Sequence, residues 1–73
     1  MRRIPLLSGK DVIKALKKLG YEVVRQRGSH VRLRHPTRPP ATVPAVDDIS
    51  IGTIMNIIKQ AELSVEEFLE LLD

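Results

Sequence analysis

The sequence predicts a two-layer α+β domain in which a three-stranded antiparallel sheet carries its helices on one face. Three observations carry that prediction. Apolar residues recur at helical spacing early in the chain and again in two segments after residue 50. Between them lie three short runs of strand-like composition. The first two of those runs are separated only by Gly28-Ser29, which is the length of a hairpin turn. The order is therefore helix, strand, strand, strand, helix, short helix. The chain has 73 residues, with 42% hydrophobic and 29% charged, a globular rather than a disordered composition. One domain over residues 1–73 is expected, burying only roughly 60% of its unfolded surface. A dinucleotide-binding sheet or an eight-stranded α/β barrel does not fit in this length. There is no internal repeat, low-complexity tract or linker.

Ser8 is a natural N-cap, and Asp11 three residues on can return the bond as in a capping box. Val12, Ile13, Leu16 and Leu19 then share one helical face, and Gly20 ends the pattern, so residues 9–19 are the first helix. Lys10, Lys14, Lys17 and Lys18 fall on its opposite face. Residues 21–27 and 30–34 read as a hairpin, with Gly28 first in a type II′ turn. Residues 35–40 contain three prolines and form a loop. Ala41-Thr42-Val43-Pro44 is a third strand, at an edge because Pro44 cannot donate to a ladder. Ser50 caps a helix whose apolar face is Ile51, Ile54, Ile57, Ile58 and Ala61. Ser64-Val65-Glu66-Glu67 is a second capping box and opens a last helix with Val65, Phe68, Leu69 and Leu72 on one face.

Net charge is a mild +3, but it is unevenly spread. Residues 1–38 hold 11 of the 12 Lys and Arg and only Asp11 and Glu22, a local charge of +9, while residues 39–73 carry −6. A basic half suggests a polyanionic partner, nucleic acid being the commonest. The alternative is that the two halves neutralise each other across the fold. The absence of cysteine removes disulfides, thiolate-bound zinc and thiol catalysis. No run approaches the roughly 20 apolar residues of a membrane span. The start, from Met1 to Leu7, falls short of the about 7–15 apolar residues of a signal peptide. The expected location is the cytoplasm.

The hairpin holds most of the chemical information. A two-residue turn sets Arg27 opposite His30, Arg25 opposite Arg32 and Val23 opposite Arg34 on one face. On the other face Gln26, Val24 and Glu22 meet Val31, Leu33 and His35, so Val24, Val31 and Leu33 are expected to point at the helices. Arg25, Arg27, His30, Arg32 and Arg34 then form one cationic outer surface. Directly opposed like charges destabilise a sheet by roughly 0.2–1 kcal/mol per pair. Bound phosphates would remove that repulsion, which favours phosphate binding over a surface merely screened by salt. His30 sits at the mouth of the turn inside this surface. Histidine titrates near neutrality, as a general acid or base acting on a phosphodiester must. His35 lies on the other face before a proline and reads as a loop or edge residue. The two histidines face apart, and Asp47-Asp48 belong to a turn before a helix, so no metal or other cofactor is expected. One Tyr and one Phe cannot build a base-stacking platform.

Gly28-Ser29-His30, His35-Pro36, Thr42-Val43-Pro44, Gly52-Thr53-Ile54 and Ile57-Ile58-Lys59-Gln60-Ala61 together resemble the HicA (YcfA-like) mRNA interferase toxins. The resemblance runs from Ser8-Gly9 to Leu72. It implies a fold like the double-stranded RNA-binding domain, RNA cleavage that halts translation, and a HicB-like antitoxin as inhibitor. It also implies that His30 is the catalytic residue. The family often has a histidine where this chain has Val46, and a glycine where it has Glu62. The resulting expectation is a toxin endoribonuclease, independent of metal, in which His30 is catalytic. Arg25, Arg27, Ser29, Arg32, Arg34, Lys10 and Lys14 would contact the RNA. A non-catalytic RNA-binding module of the same fold and a basic protein-interaction domain are the alternatives.

Overall fold

The computed structural model describes residues 3–72. Met1, Arg2 and Asp73 lie outside the described residues, and with them the two ends of the expected 1–73 domain and the basic start of the chain. Helix α1 spans Gly9–Leu19. Strands β1 (Glu22–Arg27), β2 (His30–Arg34) and β3 (Ala41–Pro44) follow, then α2 (Ile51–Gln60) and α3 (Val65–Leu72). The sheet is antiparallel in the order β1-β2-β3, so β3 is an edge strand and Pro44 is its last residue.

Each helix begins where a side chain captures free backbone N–H groups. The Ser8 Oγ accepts the Asp11 N–H at 3.2 Å, and the Asp11 carboxylate accepts the Ser8 N–H at 3.1 Å. Ser64 and Glu67 make the same reciprocal pair, at 3.1 and 2.9 Å. Helix α1 ends at Gly20, whose φ of 114° is left-handed and whose N–H reaches the Leu16 and Lys17 carbonyls. Glu62, between α2 and α3, has a φ of 57°, a conformation that costs a residue with a Cβ about 1 kcal/mol.

The capping carboxylates make stability depend on pH. The Ser8 backbone N–H, with its hydroxyl next, holds the Asp11 carboxyl below its ordinary 3.8, and Ser64 does the same for Glu67 below 4.5. A depressed folded-state pKa gives stability that is present above the unfolded value and lost as pH falls through the folded one. The thermal midpoint should therefore drop as pH falls below about 4. Asp11→Asn with Glu67→Gln keeps an acceptor at each cap but no titration, so this variant should show a flatter profile when melting is followed by circular dichroism.

The core lies between the sheet and the helices. Val12 and Leu16 of α1, Val31 and Leu33 of β2, Val43 of β3, Ile54 and Ile57 of α2 and Phe68 of α3 are all buried. Two expectations need correction here. Val24 does not point at the helices; it is 49% exposed. A β-bulge between Val23 and Arg25 shifts the register, so Val23 faces Leu33 and Glu22 faces Arg34. The interior at this end is filled by Tyr21, which is buried just before β1 and donates its hydroxyl to the Pro39 carbonyl at 2.8 Å. Ile51 is also half exposed, because the first turn of α2 extends past the core.

Candidate active site

The tip of the hairpin is built from Gly28 and Ser29. Gly28 has a φ of 60°, and Glu62 is the only other residue besides Gly20 with a positive φ among the described residues. Ser29 therefore keeps a negative φ, the type II′ pattern, whose twist matches that of the strands. The Ser29 carbonyl accepts the Ala45 N–H, which fastens the tip to the chain leaving β3.

Strand β2 alternates strictly. Val31 and Leu33 go into the core, while His30, Arg32 and Arg34 face outward. Two rows of residues cross the outer face. In one, Arg27, His30 and Pro44 lie side by side; in the other, Arg25, Arg32 and Thr42 do. The Arg32 Nη1 donates to the Thr42 Oγ1 at 3.0 Å, which fixes one guanidinium over the sheet. These side chains line a depression of about 240 Å³, formed by Arg25, Arg27, His30, Arg32 and Thr42. Three arginines and no carboxylate line it, so its field is positive, and His30 is exposed to solvent.

The other sequence-predicted residues are placed differently. Arg34 is on the same face but one step further from the turn. It shares a neighbouring shallow depression with Val24, Arg25, Arg32 and Pro40. Ser29 is exposed beside His30 in the turn. Lys10 and Lys14 are exposed on α1, and Lys14 lines a groove with Leu71 and Leu72 of α3. The structure does not bring either lysine to His30. His35 has a defined structural place. Its Nδ1 accepts the Thr37 N–H at 3.1 Å, which leaves Nε2 to donate to the Leu19 carbonyl at 2.9 Å. Its ring also lies 4.9 Å from that of Tyr21, so His35 ties the end of α1 to the loop after β2. Val46 is 40% exposed, and its carbonyl accepts the Gly9 N–H.

The sequence reading overlooked the contribution of α2. Thr53, Asn56, Ile57 and Gln60 line a second groove together with His30, Thr42 and Pro44. The Gln60 Oε1 accepts the Thr42 N–H at 3.0 Å, capping the free edge of β3. The spacing of 53, 56, 57 and 60, i, i+3, i+4, i+7, puts them on one helix face, but only the packing of α2 on β3 brings that face to His30. Among the described residues no three His, Asp or Glu side chains come together to hold a metal, and no helix is long and apolar enough to cross a membrane.

Residues 9–63 match the model of a protein family described as the HicA toxin of bacterial toxin-antitoxin systems. The chain belongs to the HicA toxin family. The matched segment covers α1, the whole sheet and α2, and therefore both walls around His30. The observed α+β arrangement is the fold expected of a HicA toxin. Membership makes the protein the toxin of a pair and implies an antitoxin partner. No curated protein matches the chain significantly.

Proposed function

We propose that this HicA toxin is an endoribonuclease that cleaves mRNA at the outer face of the β1–β2 hairpin. The observation that supports this most is the placement of His30 in the same depression as Arg25, Arg27 and Arg32. In the proposed reaction the ribose 2′-oxygen attacks the adjacent phosphorus. The bond from phosphorus to the 5′-oxygen of the next nucleotide breaks. The 2′-hydroxyl loses a proton and the leaving 5′-oxygen gains one. His30 carries one of these protons, and the guanidinium groups stabilise charge on the phosphate oxygens. Arg34 and Ser29 extend the phosphate-binding surface along the strand and the turn. Lys10 and Lys14, on the helical layer, contribute long-range attraction for RNA. Such a toxin acts in the cytoplasm, and a HicB-like antitoxin inhibits it by covering the His30 face with acidic groups.

Incubation with RNA tests the reading. Cleavage should persist in a chelator and leave 2′,3′-cyclic phosphate ends. DNA should bind and stay intact, because it has no 2′-hydroxyl. Inhibition by the chelator, or ends of another kind, would overturn the mechanism. One observation favours a non-catalytic RNA-binding module instead. Besides His30 the depression is lined only by arginines and Thr42, with no second histidine and no carboxyl group, so the second proton transfer lacks an evident carrier. Binding without any cutting would establish that reading.

The opposed arginines give a further expected result. Changing Arg25 and Arg32 together to Gln should weaken RNA binding at low salt. The slope of log K against log salt should fall by about 1.4, the change expected when two phosphates of a single strand are no longer neutralised. Thermal stability should hold or rise, since the like-charge pair across β1 and β2 is gone. Unchanged affinity, measured by fluorescence anisotropy across a salt series, would remove these arginines from the interface.

A further inference from the structure

The groove on the α2 side of His30 has a volume of about 370 Å³ and shares His30 and Thr42 with the cationic depression. The two differ in chemistry. One is lined by three arginines, whereas the other has no lining charge apart from any that His30 carries. Its floor is apolar, made by Pro44 and by Ile57, which is buried. Its polar groups are uncharged. Gln60 is held by its Oε1 on the Thr42 N–H, which leaves its amide N–H groups to donate. Asn56 is exposed and its side chain makes no hydrogen bond among the described residues, so its amide offers both a donor and an acceptor.

RNA has the same two-part character, a charged phosphate joined to a flat, uncharged base. A phosphate seated among Arg25, Arg27 and Arg32 has a neighbouring base within reach across the His30–Thr42 ridge. Base edges alternate donors and acceptors and are matched by carboxamides, while base faces pack on flat apolar surfaces. We propose that the α2 groove receives one unpaired nucleobase flanking the scissile phosphate, and that Asn56, with Gln60, reads its edge. This rests on the RNA-cleaving reading of the His30 face and deepens it. A base held inside a duplex cannot turn into this groove, so the substrate is single-stranded at the cut. Asn56 is a specificity residue here; Gln60 also positions the β3 edge.

The test compares an RNA oligonucleotide carrying a preferred cleavage site with the same oligonucleotide made abasic at either nucleotide flanking the cut. With the parental protein, one of the two abasic substrates should be cleaved roughly 5- to 150-fold more slowly, the discrimination expected of one amide–base pair. Asn56→Ala should slow the intact substrate by a comparable factor and show little further loss on that abasic substrate. Its thermal midpoint should match the parental one, because the Asn56 side chain makes no hydrogen bond among the described residues. A full abasic penalty retained in Asn56→Ala, or no penalty in the parental protein, overturns the proposal. If the parental protein binds RNA without cutting, the nuclease reading fails separately. Anisotropy with an oligoadenylate and its abasic counterpart then decides the groove. A parental preference for the intact strand that Asn56→Ala loses supports it, and equal binding of both strands by the parental protein overturns it.

Discussion

Replacing His30 by Ala is expected to slow RNA cleavage roughly 10²–10⁴-fold, the usual contribution of a general acid or base, with RNA affinity nearly unchanged. The expectation follows from what surrounds the ring. The proposed phosphate contacts are spread over Arg25, Arg27 and Arg32, none of which leans on His30 by a hydrogen bond, so the imidazole can be removed without dismantling the cationic depression. His30 is also the first residue of β2 and fully outward, so nothing in the core depends on it. The contrasting variant is His35→Ala. That side chain makes bonds to Leu19 and Thr37 and packs on Tyr21, so its loss should lower the melting temperature. Cutting by His35→Ala, assayed well below that temperature, should stay near the parental rate. Single-turnover cleavage and anisotropy on both variants separate the two roles. A His30→Ala protein that cuts at the parental rate would remove the ring from the reaction.

Much of this arrangement was legible because it depends on local chemistry. The caps at Ser8, Ser50 and Ser64 and the terminating Gly20 are written in the chain within a few residues of where they act. The pairing of Arg25 with Arg32 and Arg27 with His30 follows from a two-residue turn and the strand period of two. That logic failed beyond the bulge, since nothing in Val23-Val24 marks which residue is extra and both are β-branched. Tyr21 filled the interior that Val24 was expected to fill, and a residue at a strand boundary has no periodic partner to reveal it. Glu62 illustrates a different limit. The resemblance to the family led to an expected glycine there, and the backbone at Glu62 is left-handed, a conformation glycine adopts without strain. The second wall of the candidate site was missed because its parts lie on β3 and α2, and only tertiary packing sets Thr42 beside Gln60. Lys10 and Lys14 show the converse: charge that is close in sequence to the hairpin but sits on the other layer of the fold.

Gly9 gives the largest expected effect on stability, and it is one that helix propensity alone would get wrong. Gly9 opens α1, where alanine is the better helix former by up to about 1 kcal/mol. A Cβ built there, however, overlaps the Pro44 carbonyl oxygen, far inside van der Waals contact distance, and lies 2.8 Å from the Ala45 Cα. Both neighbours are backbone and cannot swing aside. They are also held in place, because Pro44 pairs with His30, Ala45 donates to the Ser29 carbonyl, and the Gly9 N–H bonds Val46 at 2.8 Å. Gly9→Ala can relax in two ways. Lifting α1 loses the Gly9–Val46 bond and loosens Val12 in the core. Pushing the chain after β3 moves Pro44 away from His30 and disturbs the ridge between the two grooves. The first route appears as lost stability and the second as lost activity, so both should be measured. A loss of about 3 kcal/mol, the upper end for overpacking, is expected, which lowers the melting temperature of a domain this size by roughly 12–24 °C. Gly52→Ala is the matching control. It lies in the first turn of α2 with nothing within 4 Å of the new methyl, so it should gain up to about 1 kcal/mol. If Gly9→Ala instead melts with or above the parental protein in urea and heat, α1 does not rest on the end of β3. The backbone would then need another anchor for the strand end beside His30.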